Sequence, residues 1–223
     1  MKALVRPPGD SYRQALSSQQ PRPEIDVDRA RRQHAAYCDA LRQAGLDLIE
    51  LPPDEAHPDA CFVQDTAVVY GLLAVIARPG AESRRGEEAA VAEVLGSHRR
   101  LADIRAPATL EGGDVLIVGN RVFVGLSERT NRGGFVQLRD LLELEGAAVQ
   151  SLEVAEGLHL LSGCTYLGRG VLLAAEAWAH EPPFAGLDVV QVPPEEEAAA
   201  NALGLGDYAI LPAGYPRTAA LIR

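Results

Sequence analysis

A chain of 223 residues with 47% hydrophobic content can bury a full core, and the sequence suggests one domain over residues 1–223. Acidic residues outnumber basic ones, 31 to 21, for a formal charge of −10; such a field repels nucleic acid and anionic membranes and favours a cationic small molecule. Three cysteines, Cys38, Cys61 and Cys164, lack metal-type spacing and argue against a disulfide framework or a zinc site, which makes the cytoplasm the default compartment.

The first residues, Met1-Lys2-Ala3-Leu4-Val5-Arg6-Pro7, hold no long apolar segment and do not read as a signal peptide. No stretch approaches the ~20 apolar residues that cross a bilayer. Residues 3–5 read as a strand with no evident partner in the residues after it, so its partner is expected from elsewhere. Residues 9–25 read as a long functional loop. Asp26 can cap a helix to about residue 44, with Ala30, His34, Tyr37 and Leu41 on one face and Gly45 as its stop. Residues 46–51 then form a strand, and residues 52–63 a loop.

From there one figure repeats. A hairpin over residues 66–76 turns near Gly71, a second over 115–124 turns at Gly119-Asn120, and a third over 166–173 turns at Arg169-Gly170. Turn positions 71, 120 and 169 are 49 residues apart both times. Each of these hairpins is followed by a helical segment and a short strand, so the unit is hairpin, helix, strand, and its period implies a repeat architecture. A fourth hairpin turns around Gly206-Asp207 and leads into the start of a helix at Tyr215-Pro216. The acidic run Glu195-Glu196-Glu197 reads as a helix N-terminal turn.

Candidate chemistry gathers at the unit boundaries. Asp65, the pair Glu111 and Asp114 in Glu111-Gly112-Gly113-Asp114, and His159 each stand just before a hairpin in successive units. Arg84 and Arg129 come after their hairpins, 45 residues apart. Singly, these read as a solvated turn, a structural histidine and surface arginines; their recurrence at matching places points to a shared function. If the units surround an axis, the acids and the imidazole converge at its centre. The pattern describes four and a half units of a five-unit ring, with a tail on the order of 25 to 35 residues expected beyond Arg223.

The run Pro58-Asp59, Phe62-Val63-Gln64-Asp65, residues 78–85, residues 111–114, Arg129-Thr130-Asn131, Leu158-His159-Leu160 and Pro212-Ala213-Gly214-Tyr215-Pro216-Arg217-Thr218 resembles the dimethylarginine dimethylaminohydrolase family of guanidine-modifying enzymes. The resemblance implies an α/β fold, the five-bladed ββαβ propeller (pentein) with pseudo-fivefold symmetry, its last blade here incomplete. It implies hydrolysis of Nω-methylated arginine to citrulline and a methylamine through a cysteine thiouronium intermediate, with no metal or cofactor, and it allows a homodimer.

By resemblance, His159 is the general acid and base and Glu111 the carboxylate that orients it. Asp65 and Gln64 grip the guanidinium, Asp59 is a further substrate contact, and the backbone of Leu16 meets the amino-acid end. Arg84 and Arg129 hold the α-carboxylate. The roles suit the chemistry: a guanidinium carbon is a poor electrophile that needs acids on its N–H groups, histidine titrates near neutral pH, and an arginine fork pairs with a carboxylate. Gln64 stands where the family usually has glutamate, which weakens the grip by ~1–2 kcal/mol. The nucleophilic cysteine is expected beyond Arg223, since none of Cys38, Cys61 and Cys164 matches it; residues 1–223 would then bind substrate without turning it over. Arginine or another guanidino acid is the alternative substrate, and a non-catalytic guanidino-ligand sensor is the rival from another class.

Overall fold

The computed structural model describes residues 1–17, 21–155 and 157–223. The chain gathers into two compact units, Met1–Ala106 and Pro107–Arg223.

The first unit opens with β1 (Lys2–Val5), a short 3-10 turn at Asp10–Gln14 and α1 (Val27–Gln43), followed by β2 (Asp47–Glu50). As expected, the Asp26 carboxylate caps α1, accepting from the N–H of Arg29 at 2.8 Å, and Gly45 ends it at φ +85°. The buried stripe is Val27, Cys38 and Leu41, and Tyr37 lies 40% exposed instead of on the core face. At 3.6 residues per turn, positions 27, 38 and 41 stack, whereas position 37 rotates to the edge. Residues 3–5, which show no evident partner in the residues after them, do find one there: β1 pairs in parallel with β2, from Lys2↔Asp47 to Val5↔Glu50. A crossover helix of 17 residues returns the chain to the same end and makes this pairing available. The loop expected over 9–25 is partly ordered as the Asp10–Gln14 turn, and its residues 18–20 lie outside the described residues.

The repeating unit then appears. β3 (Ala67–Tyr70) and β4 (Leu73–Ile76) form an antiparallel hairpin, α2 (Glu88–Gly96) crosses back, and β5 (Arg100–Asp103) pairs in parallel with β4. In the second unit β6 (Val115–Val118), β7 (Arg121–Leu126), α3 (Arg132–Glu143) and β8 (Ala148–Glu153) repeat the figure. After a four-residue helix, α4 (Leu160–Gly163), it recurs as β9 (Cys164–Gly168), β10 (Val171–Ala174), α5 (Glu176–Ala179) and β11 (Asp188–Gln191). β12 (Leu203–Leu205), β13 (Tyr208–Ile210) and α6 (Pro216–Leu221) close the described chain.

In each of the three complete copies the hairpin's second strand lies between an antiparallel and a parallel neighbour. Such a strand is covered on both edges, and its central residues are apolar: Val75, Val124 and Leu173, which occupy equivalent places 49 residues apart, are all fully buried. The third turn needs two left-handed residues, Arg169 at φ +52° and Gly170 at φ +84°. In the second unit, Leu116, Phe123, Leu160, Cys164, Leu172 and Trp178 belong to one core, with Phe123 and Phe184 in edge-to-face contact at 5.2 Å.

The acidic run 195–197 opens a helical segment as read, but a 3-10 one, and one of its acids serves another helix. It lies in a 3-10 segment, Pro194–Ala200, and the buried Glu196 turns away to accept the N–H groups of Arg217 (3.1 Å) and Thr218 (2.7 Å) and the Thr218 hydroxyl (2.7 Å). Its carboxylate thus caps α6, whose own N-cap, Tyr215, offers no side-chain acceptor.

Candidate active site

In the second unit the 3-10 turn Gly112–Asp114 delivers two wholly buried carboxylates, Glu111 and Asp114, at the mouth of the β6–β7 hairpin. The segment before them is fixed by Asn131, the N-cap of α3, whose side-chain oxygen accepts from the N–H of Gly134 (2.9 Å) and of Thr109 (3.1 Å). Gly134 permits this approach, because a Cβ there would collide with the Thr109 carbonyl oxygen.

The loop after β7 wraps both acids. Thr130 accepts the N–H of Glu111 (3.0 Å) and donates its hydroxyl to Asp114 (2.7 Å). Ser127 also donates to Asp114 (2.7 Å) and accepts the N–H groups of Arg129 and Thr130. The remaining Asp114 oxygen takes the N–H of Leu160 at 3.0 Å, and Gly125 leaves room for this, since a side chain there would meet Leu160 and Asp114.

His159, the residue before α4, is 8% exposed and stands between the two acids. Its Nε2 lies 3.4 Å from Glu111 Oε2 and its Nδ1 3.2 Å from Asp114 Oδ2. Arg129 reaches Glu111 at 3.5 Å. Three residues singled out from sequence, Glu111, Arg129 and His159, therefore lie together here. A carboxylate near each ring nitrogen favours a proton on either one, which suits an imidazole that takes up and gives up protons. Asp114, noted beside Glu111 in the sequence but given no role, is bonded by Ser127, Thr130 and the Leu160 N–H. Sequence reasoning misses Thr130 and Ser127, although their spacing of 16 and 13 residues beyond Asp114, on the loop after the returning strand, is the signal that a hairpin would bring them back.

In the first unit Asp65, Arg84 and Glu87 form a buried trio. The Arg84 guanidinium holds Glu87 through Nε (3.1 Å) and Nη2 (2.8 Å) and Asp65 through Nη1 (2.8 Å), and packs over the Phe62 ring at 5.9 Å. Burial opposes its charge, yet Glu87 and Asp65 hold the guanidinium pKa above its ordinary value. Burial pushes the Glu87 carboxyl up, and the Arg84 bonds oppose that push. Glu87 lies three residues after Arg84, an i,i+3 pair whose spacing is visible in the sequence and which the sequence reading nonetheless passes over. Asp59 is buried, and both of its oxygens accept the N–H of Leu16 at 3.1 Å. Gln64 sits beside Asp65 in the 3-10 turn Val63–Thr66 and is exposed.

None of the three cysteines has the surroundings of a nucleophile. Cys164 is fully buried and donates to the Leu160 carbonyl, its thiol pushed up to about 12 by burial. The Cys61 thiol is pushed up to about 12 by burial and then by Asp59. Cys38 packs on the core face of α1 beside His34, and burial raises its thiol as well. His57 bonds Asp54 through Nδ1 at 2.8 Å.

Repeated ββαβ units carrying a buried imidazole flanked by acids define a guanidine-modifying protein of the α/β pentein class. The N-terminal domain of a cyanobacterial arginine dihydrolase shares this fold, with a TM-score of 0.83 over 97% of this chain and 86% of that one at 19% identity. A family model described as N,N dimethylarginine dimethylhydrolase, eukaryotic, matches residues 8–174. The N(G),N(G)-dimethylarginine dimethylaminohydrolase of Pseudomonas aeruginosa is 40% identical over 195 residues, covering 86% of this chain and 77% of the relative. The enzyme of the same name from Streptomyces coelicolor is 37% identical over 223 residues, covering 99% and 85%. A solved structure of the Pseudomonas aeruginosa protein, a cysteine-to-serine variant complexed with citrulline, matches with a TM-score of 0.95 at 38% identity, over 98% of this chain and 86% of that one. The chain belongs to the dimethylarginine dimethylaminohydrolase family.

Proposed function

We propose that this protein hydrolyses dimethylarginine to citrulline and dimethylamine, with His159 moving the protons. Family membership and the citrulline complex of a relative 38% identical support that substrate over arginine and over a purely sensory role. The observation that carries the mechanism is the position of His159 between Glu111 and Asp114.

Hydrolysis exchanges the dimethylamino group on the guanidinium carbon for the oxygen of water. The departing amine needs a proton and the water must lose one, and an imidazole standing between two carboxylates can supply the first and accept the second. Glu111, wholly buried, orients the Nε2 side; Asp114 fixes the Nδ1 side and, through Leu160, the backbone beneath it. In the first unit Asp65 is the acid for the guanidinium N–H groups, with Gln64 as a neutral acceptor beside it. Asp59 and the Leu16 backbone serve the amino-acid end, and Arg84 and Arg129 its carboxylate. The thiolate attack that the resemblance implies has no donor among Cys38, Cys61 and Cys164, whose thiols are all raised by burial. We therefore assign the nucleophile to none of the three.

Among the described residues no helix is long and apolar enough to cross a membrane, and all three cysteines are free. The free thiols support a cytoplasmic setting, and a homodimer is the assembly to test by light scattering.

Incubation with dimethylarginine should yield citrulline and dimethylamine in equal amounts. His159→Ala should lower that rate by about 10²–10⁴-fold while the far-ultraviolet spectrum is unchanged. Retained turnover in the variant removes His159 from the mechanism, and a parent protein that neither binds nor converts dimethylarginine removes the substrate assignment.

A further inference from the structure

The segment that carries Leu16 is held at both ends by carboxylates from one short stretch. Glu55 accepts the N–H of Asp10 through Oε1 and of Ser11 through Oε2, each at 2.8 Å. Four residues on, Asp59 takes the N–H of Leu16 on both oxygens at 3.1 Å. Between these points the chain closes on itself through Tyr12 N–H to the Gly9 carbonyl (3.2 Å) and Ala15 N–H to the Tyr12 carbonyl (3.0 Å). The Tyr12 ring leans on Phe62, with centroids 6.1 Å apart.

The base of this clamp is itself fixed. Asp54 accepts the N–H groups of Ala56 (2.9 Å) and His57 (3.3 Å) on one oxygen and the His57 ring on the other, so the turn that sets Glu55 apart from Asp59 is tied down. Gly9 has an ordinary φ of −76°, so its backbone does not demand glycine. A side chain would instead press on the clamp: a Cβ there would lie 2.7 Å from Glu55 Oε1 and 2.9 Å from the carboxyl carbon, pushing that exposed carboxylate aside. With its N–H committed to Asp59, the Leu16 backbone is fixed in place for the amino-acid end of a ligand.

We propose that Glu55 is a positioning residue which, with Asp59, clamps residues 9–16 and sets the Leu16 backbone for the amino-acid end of the substrate. The inference rests on Leu16 meeting that end of the ligand, as proposed above. Glu55 touches no reacting atom; it acts by sparing the loop the cost of ordering when ligand binds.

Three variants of the full chain test it, read by amide hydrogen exchange over residues 9–17 and by calorimetry with citrulline. Glu55→Ala removes both acceptors, Glu55→Gln keeps one, and Gly9→Ala leaves the charge in place but displaces the exposed, flexible carboxylate without touching the core. Exchange at Asp10, Ser11 and Leu16 should rise in Glu55→Ala and Gly9→Ala and by less in Glu55→Gln. The citrulline Kd should weaken in the same order, by roughly threefold to tenfold for Glu55→Ala, the effect of one or two hydrogen bonds. Turnover number should hold within about twofold for substrate at saturation, because binding rather than chemistry is altered. Unchanged Leu16 exchange in both Glu55→Ala and Gly9→Ala overturns the clamp, and so does raised exchange with an unchanged Kd. If the parent protein binds neither citrulline nor dimethylarginine, the ligand reading fails and this inference falls with it; if it binds both and the variants bind equally well, the clamp alone fails.

Discussion

The Asp114 carboxylate stands 3.2 Å from Nδ1 of His159 while its other oxygen receives the N–H of Leu160, so one acid fixes both the ring and the backbone that bears it. Asp114→Asn would offer an amide N–H₂ where hydroxyls of Ser127 and Thr130 already donate, leaving like groups opposed in a buried place. Stability should fall by about 1–3 kcal/mol, and turnover should fall further than that loss explains. Urea midpoints with kcat on the folded fraction check it; a variant with normal kcat would show that Asp114 supports the fold alone.

Glu87 should be indispensable to the first unit despite making no proposed contact with ligand. Its carboxylate takes two guanidinium nitrogens of Arg84, Nε and Nη2, in a site 1–3% exposed, so Glu87→Gln leaves a buried cation with a poorer partner. A loss of ~3–5 kcal/mol is expected from such a broken pair, visible as a lowered thermal midpoint, and accompanied by a raised KM through displacement of Arg84. An unshifted midpoint would mean that water readily replaces the carboxylate.

At pH 7.5, about the usual assay condition, Cys38, Cys61 and Cys164 should resist iodoacetamide in the native protein. Thiols pushed up to about 12, as at Cys61 and Cys164, hold almost no thiolate there. Peptide mapping after brief labelling gives the result, and rapid alkylation at any of the three would contradict the surroundings described for it.

Asp54 gives the stability of the first unit an acid limb. Burial pushes its carboxyl up, but the bonds from His57 and the Ala56 N–H outweigh this and hold it below the ordinary carboxylate range. The lowered folded value means that the stabilisation is present above the unfolded pKa and is lost as pH falls through the folded one. The stability difference between the parent protein and Asp54→Asn should therefore be constant at neutral pH and shrink below about pH 4. Denaturation midpoints at several pH values check this, and a difference that persists through that window would assign the effect to packing.

Much of the fold was legible because its period is written in apolar residues and turn glycines: the hairpins at Gly71, Gly119 and Arg169-Gly170 need only local rules. What escaped was polar and non-local. The partner of β1 lay across a 17-residue helix, which no pattern within the strand announces. Glu196 reads as the start of its own helix because charge near a helix end is a local rule, yet it caps α6, 22 residues away at Thr218. At the candidate site, position relative to hairpins and the family resemblance singled out Glu111, Arg129 and His159. The supporting set of Asp114, Thr130 and Ser127 depends on how the returning strand folds over the turn, a matter of three-dimensional register rather than of spacing.

Stiffness in this molecule is set by its doubly flanked strands. Val75, Val124 and Leu173 each face one neighbour running opposite and one running alongside, Val68 with Ala102, Val115 with Ser151, and Thr165 with Val190. Rigidity is thereby dealt out in evenly spaced islands, and the polar loops that carry Asp65, Glu111 and His159 are each moored to the near shore of one.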